Sequence, residues 1–225
     1  MKTGIIVAMQ SEFDLVAENI KNPQIKQLKH LQFIEGQLGS QNIILIKSGI
    51  GKVSAASTTV ELINNFSPTQ IINTGVAGGL DKNLSVSDIV IGNQNTYHDV
   101  WCGEGCYGQI QGLPAKFQAS SSLLNFCTNI KCETKIHHGL IVSGDKFITE
   151  LSELQNIKHN FPDALAVDME STAIAQVCYL YNIPFISIRM ISDTPGIENH
   201  YNQYLDFWKL APKTSFSILK QILDH

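Results

Sequence analysis

Arginine is almost missing from this 225-residue sequence: Arg189 is the only one. Phosphate recognition favours the bidentate guanidinium fork, so a single arginine leaves little for a dedicated phosphate pocket. Long apolar runs are also missing. No stretch approaches the roughly 18 residues needed to span a bilayer, and the run Gly4 to Met9 is broken at once by Gln10-Ser11-Glu12, too short for a signal-peptide core. The five cysteines, at 102, 106, 127, 132 and 178, are odd in number and contain no C-x-x-C. Unbridged thiols in a cytoplasmic protein are therefore expected rather than a disulfide framework. A formal net charge of -4 provides no electrostatic footprint for nucleic acid or an anionic membrane, which leaves small molecules as the expected partners.

The common motifs of phosphate, metal and nucleophile chemistry are absent as well. Gly49-Ile50-Gly51-Lys52 lacks the Walker spacing and the Ser/Thr after lysine, and Asn73 to Gly79 is not G-x-G-x-x-G. His98-Asp99, His137-His138 and Cys102-x-x-x-Cys106 match no zinc spacing, and no G-x-S-x-G elbow occurs. No metal or organic cofactor is expected.

What is present is enough apolar surface to fold, 44% hydrophobic against 16% charged residues, with no composition shift to mark a second domain. Residues 1–225 are read as a single domain. Short Ile/Val-rich runs alternate with segments of helical period, the pattern of an α/β protein with a largely buried sheet. Strands are expected at Gly4 to Ala8, Leu31 to Glu35, Asn42 to Ile46, Gln70 to Asn73, Asp88 to Asn93, His137 to Val142, Leu165 to Val167 and Phe185 to Ile191. Helices are expected over Ser11 to Ile20, Val53 to Asn65, Ser121 to Ile130, Leu151 to Asn160, Met169 to Tyr181 and Tyr204 to Leu223. The stretch from Tyr97 to Ala119, rich in glycine, reads as one long irregular loop of the kind that is usually functional.

Three acids follow three of these strands: Glu12, Glu170 and Asp193. Ligands of α/β sheets bind beyond the strand carboxyl ends, so three carboxylates could meet there. Taken singly, each has a structural reading, since an acid in a first helical turn complements the helix dipole and an aspartate suits a turn. Arg189 interrupts an apolar strand. A buried strand tolerates that charge only when paired, and Glu170 or Glu12 is the expected partner. The glycines of Asn73-Thr74-Gly75-Val76-Ala77-Gly78-Gly79 permit close backbone approach to a ligand, with a plain tight loop as the alternative. Phe147, Met169, Trp101 and Met9 read as core by default, although each flanks a polar segment at a strand end, where an adenine pocket would need such residues.

Taken together, Gly4 to Glu12, Ser48 to Val53, Asn73 to Leu80, Tyr97-His98-Asp99, Gly139 to Ile148, Ala166 to Ala175 and Arg189 to Asp193 resemble, in order and over almost the whole chain, the methylthioadenosine/S-adenosylhomocysteine nucleosidases of the purine nucleoside phosphorylase fold. The resemblance implies a three-layer α/β/α domain with a mixed, twisted central sheet. It implies hydrolysis of an adenine thionucleoside in which Glu12 activates water, Asp193 assists proton delivery to adenine N7 and Glu170 holds the ribose hydroxyls. Arg189 and Ser192 would order these acids. Met169 would lie under the ribose, Phe147 would stack on adenine with the Ile148 backbone reading its edge, and Ala77 and Gly78 would line the base site. Met9 and Ile50 would line an apolar 5' pocket that the Val100, Trp101 and Leu113 loop of a partner subunit closes, so a homodimer is implied.

The sequence departs from the family pattern twice. Val76 stands where many members have a serine, and the segment after Asp193 differs, leaving Tyr201 and Tyr204 as the candidates for a late aromatic lid. A purine nucleoside phosphorylase, an aminodeoxyfutalosine nucleosidase and a non-catalytic nucleoside-binding protein are the alternatives.

Overall fold

Alternation within the apolar strands sorts the chain into layers. In β1 (Lys2–Val7), Ile5 and Val7 face one side of the sheet and Ile6 the other. The same two-residue period divides β4 (Gln41–Lys47), where Ile43 and Leu45 oppose Ile44 and Ile46. Onto the first face pack Phe13 and Val16 of α1 (Gln10–Ala17) and Leu123 and Cys127 of α3 (Ser121–Cys127). The second face is covered by α2 (Lys52–Phe66) and α5 (Ser171–Tyr181), through Leu62, Phe66, Ile174 and Val177 among others. Each large side chain buried in this way contributes about 1.5–3 kcal/mol. The computed structural model describes residues 2–127, 130, 134–194, 207, 219–221 and 223.

The remaining strands are β2 (Lys21–Leu28), β3 (Leu31–Leu38), β5 (Gln70–Gly79), β6 (Ile89–Tyr97), β7 (Phe117–Gln118), β8 (Ile136–Ser143), β9 (Ala164–Asp168) and β10 (Phe185–Asp193), with α4 (Leu151–Asn160) between β8 and β9. The sheet is mixed, as expected, in the order β10-β6-β8-β9-β5-β1-β4-β3-β2. β1, β4, β5 and β10 run parallel and bring their carboxyl ends to one rim. Because β10 also pairs with β5, strands β5, β10, β6, β8 and β9 close on themselves, a ring that strand periodicity does not announce. β5 makes this possible by changing neighbours: through Asn73 it pairs with β1, and at Gly78 and Gly79 it pairs with β9.

Three expectations are corrected. The strand expected over Gln70 to Asn73 runs on to Gly79, which rules out the tight loop given as the alternative for Asn73 to Gly79. β2 was not expected at all; it is an edge strand, almost wholly exposed, and Pro23 is tolerated there because an edge has unpaired backbone positions. The long loop after Tyr97 is irregular except for the two residues of β7, which pair with β6. Of the helix expected over Tyr204 to Leu223, the described residues Phe207, 219–221 and Leu223 are helical and the rest lies outside the described residues.

Candidate active site

The rim where β1, β5 and β10 end carries a cleft that brings together Met9, Glu12, Ile50, Ala77, Gly78, Phe147, Ile148, Met169, Glu170, Arg189, Ser192 and Asp193. The catalytic and substrate-binding residues expected of this chain, the lid candidates Tyr201 and Tyr204 aside, thus line one cleft. Its other walls are Ala8, Lys146, Val167 and Asp168, which the sequence does not single out, and Val76, noted above as a departure from the family pattern.

Glu12 lies in the first turn of α1, immediately after β1, and is buried. Its Oε2 accepts from the backbone N–H groups of Ala8 and Met9, both at 2.9 Å, and its Oε1 from that of Val76 at 3.1 Å. Burial raises its pKa above the ordinary 4.5, against the opposing pull of Arg189 and these N–H donors. The contact from Val76 is a backbone one, so valine supplies it as well as serine does, while the valine side chain packs on the core. Gly75 is required by the close approach behind it: a Cβ there would lie 2.5 Å from both Arg189 Nη1 and Glu12 Oε1.

Glu170 caps α5 and is held by a second helix terminus. Gly51, the N-cap of α2 with φ 93°, donates its N–H to Glu170 Oε1 at 2.8 Å. Desolvation, and then the Asp168 carboxylate, push the pKa of Glu170 up to about 7. Asp193 ends β10, where β10 and β5 fall out of register by one residue. Ser192 and Asp193 there oppose Gly78 alone, a bulge that places both on the cleft wall. Ser192 Oγ donates to Asp193 Oδ1 at 2.6 Å.

Arg189 is 1% exposed and lies on β10 between β5 and β6, not on an edge. Its expected ion-pair partner is corrected: Nε donates to Asp168 Oδ2 at 2.7 Å, rather than to Glu170 or Glu12. The guanidinium also donates to Ser171 Oγ and to Asn73 Oδ1, and Asn73 is itself anchored on the Ile6 carbonyl. Asp168 is further bound by Ser143 Oγ at 2.5 Å and by the Ser171 N–H at 3.2 Å. The available signal was an acid at the end of an apolar strand two residues before Glu170. The reason Arg189 selects it is geometric, since Asp168 closes β9 directly beside the β10 guanidinium.

The default core assignment fails for the aromatics. Phe147 is 41% exposed and Trp101 56%, while Met9 and Met169 are half-buried on the cleft wall. Val100, Trp101 and Leu113 do not line the cleft of their own chain; Val100 and Leu113 pack on the second-face core, and Trp101 stacks on Tyr107. Lys52 stays out of the cleft, tied to Asp99 at 2.8 Å, and Lys47 donates to Gln10. Lys146 does line it, and pairs with Glu153. Tyr201 and Tyr204 lie outside the described residues. Among the described residues no helix is long and apolar enough to cross a membrane, and no group of three or more His, Cys, Asp or Glu is placed to hold a metal ion.

Residues 2–224 match the Phosphorylase superfamily. Over 224 residues, 98% of each chain, the sequence is 41% identical to the 5'-methylthioadenosine/S-adenosylhomocysteine nucleosidase of Staphylococcus carnosus (strain TM300). The nucleosidase of that name from Neisseria meningitidis, solved in complex with methylthio-immucillin-A, superposes with a TM-score of 0.94 at 35% identity, covering 99% of this chain and 98% of that one. The futalosine hydrolase of Helicobacter pylori strain 26695 superposes with a TM-score of 0.92 at 29% identity, covering 100% and 97%. With its acids gathered at the sheet rim and its likeness running end to end, this chain belongs to the phosphorylase superfamily and, within it, to the 5'-methylthioadenosine/S-adenosylhomocysteine nucleosidases.

Proposed function

We propose that this chain hydrolyses the N-glycosidic bond of 5'-methylthioadenosine and S-adenosylhomocysteine, and also of 5'-deoxyadenosine, releasing adenine and the corresponding sugar. One observation carries the choice of water over phosphate. The cleft holds the carboxylates of Glu12, Glu170 and Asp193, while the chain's only arginine is already neutralised by Asp168. A phosphate dianion would be buried among acids with no free guanidinium to pair with, whereas a water molecule needs only a base.

Breaking the bond between C1' and adenine develops positive charge on the ribosyl group and a basic leaving nitrogen, so an anion near the sugar and an acid near the base both lower the barrier. Glu12 takes a proton from the attacking water, and its fixed oxygens aim that base without reorganisation. Asp193, oriented by Ser192, assists protonation of adenine N7. Glu170 binds the ribose hydroxyls, and Met169 lies beneath the ring. Phe147 stacks on adenine, the Ile148 backbone reads its edge, and Ala77 and Gly78 line the base site. Met9 and Ile50 form the 5' pocket.

Homodimerisation in the cytoplasm completes the reading, with the partner's Val100, Trp101 and Leu113 closing the 5' pocket. The exposure of Ile50 and Phe147 on the cleft wall, at 57% and 41%, and of Trp101 on the loop, at 56%, supports it, since exposed apolar surface at both places favours a cover. Sedimentation showing a fully active monomer would contradict this part. Likeness to a futalosine hydrolase favours one second reading, an aminodeoxyfutalosine nucleosidase. Adenine release from a panel of 5'-methylthioadenosine, S-adenosylhomocysteine, 5'-deoxyadenosine and aminodeoxyfutalosine in phosphate-free buffer separates the two. The proposal expects the thionucleosides to have the highest kcat/KM, and a preference for aminodeoxyfutalosine replaces it.

A further inference from the structure

A second cleft of about 330 Å³ lies beside the first, between the β2–β3 turn and the end of β4. Gln10, His30, Gln32 and Lys47 line it, with buried Phe13 and Leu31 behind them, and no carboxylate is among its lining residues. Its position follows from strand direction. β4 runs parallel to β1, and β3 runs antiparallel to β4 with Phe33 opposite Ile46. The β2–β3 turn, Lys47 and Met9 therefore reach the same rim. Gly49 lines the second cleft and its neighbour Ile50 the first, just as Gln10 lines the second and Met9 the first.

The polar groups here are arranged as a pair. Lys47 Nζ donates to Gln10 Oε1 at 2.6 Å, and the Gln10 amide is held from behind, its Nε2 donating to Asp14 Oδ1 at 2.7 Å. The cleft thus presents an ammonium and, one hydrogen bond away, an amide oxygen. A ligand carrying a carboxylate and an ammonium on one carbon complements both: its carboxylate takes Lys47, and its ammonium takes the oxygen that Lys47 releases. The reach is adequate. A thioether sulfur between Met9 and Ile50 is four bonds from the carboxylate carbon of an attached homocysteine, about 5 Å when extended. That equals the step of roughly 4.8 Å from one strand to the next.

We propose that this cleft is the subsite for the α-amino-acid end of long 5'-thio tails, with Lys47 and Gln10 Oε1 as its recognition groups. The inference rests on the nucleosidase reading above and adds a residue basis for accepting S-adenosylhomocysteine alongside the short-tailed nucleoside. Both side chains are exposed, so the interaction is screened and its loss is modest.

The test compares kcat/KM of the unaltered protein, Lys47→Met and Gln10→Ala on three nucleosides: S-adenosylhomocysteine, its analogue lacking the tail carboxylate, and 5'-methylthioadenosine. Lys47→Met is expected to lower kcat/KM for S-adenosylhomocysteine by about three- to tenfold, through KM, while leaving the other two unchanged. Gln10→Ala is expected to lower both tailed substrates and spare 5'-methylthioadenosine. Equal losses on all three substrates, or none on S-adenosylhomocysteine, overturn the subsite. Absence of 5'-methylthioadenosine hydrolysis by the unaltered protein overturns the nucleosidase reading and the subsite with it, so the two failures are distinct. Thermal unfolding of both variants at the parent temperature excludes a folding defect.

Discussion

Replacing Asp168 by asparagine should cost this protein more stability than any exposed charge does, because it strands the one arginine. The substitution keeps the shape of the side chain and removes the charge 2.7 Å from Arg189 Nε. Arg189 is 1% exposed and cannot turn to water. Its other acceptors, Asn73 Oδ1 and Ser171 Oγ, are neutral. Removing one partner of a buried ion pair costs about 3–5 kcal/mol. Asp168 also holds the Glu170 pKa up, so its loss eases ionisation of Glu170 and favours the lower end of that range. For a chain of this length each kcal/mol moves Tm by about 2–4 °C, so the expected fall is on the order of 6–12 °C. Calorimetry of Asp168→Asn beside Lys116→Ala gives the scale, since the Lys116–Asp163 pair at 2.8 Å is surface-exposed and is worth less than about 1 kcal/mol. Adding Arg189→Met to Asp168→Asn should recover part of the loss, because the stranded charge is then gone. An Asp168→Asn shift no larger than that of Lys116→Ala would refute the claim that Asp168 sustains Arg189.

Glu12→Gln and Asp193→Asn should each lower turnover by about 10²-fold or more while circular dichroism stays native; near-normal turnover would remove the residue from the mechanism. Glu170 titrates near 7 in the folded protein against an ordinary 4.5, so its contribution to stability is full below about 4.5 and is lost as pH rises through about 7. Glu170→Gln should therefore raise Tm relative to the parent more at about pH 8 than at about pH 4.5, and a pH-independent difference would contradict the shift. AMP should be a far poorer substrate than 5'-methylthioadenosine, because burying its phosphate against Met9 and Ile50 costs several kcal/mol, each roughly 1.4 of which is tenfold; comparable kcat/KM values would show that the 5' pocket is not apolar.

The fold was legible wherever periodicity coincided with burial. α4 forms over Leu151–Asn160 as read, and the apolar runs at Asn42 to Ile46 and Phe185 to Ile191 lie inside strands. β2 was illegible because neither of its faces is buried, so Lys21–Leu28 carries no two-residue alternation. The continuation of β5 through Gly75, Gly78 and Gly79 was hidden for the opposite reason: glycines there signal a turn, yet the missing side chain makes room for Arg189 and Glu12 at Gly75 and for Ile191 at Gly79. In the site, Glu12, Glu170 and Asp193 were legible from their places after three strands. Asp168 was not, since nothing local tells which of two acids, separated by Met169, faces the strand carrying Arg189. Lys146 was missed because a lone lysine beside Phe147 reads as surface, which its pairing with Glu153 partly bears out.

The central claim, that water rather than phosphate attacks the ribosyl carbon, is tested most directly by identifying the sugar product. Purified protein incubated with 5'-methylthioadenosine, with and without inorganic phosphate, should release adenine at the same rate in both and yield free 5-methylthioribose. A phosphate requirement accompanied by 5-methylthioribose 1-phosphate would contradict the account.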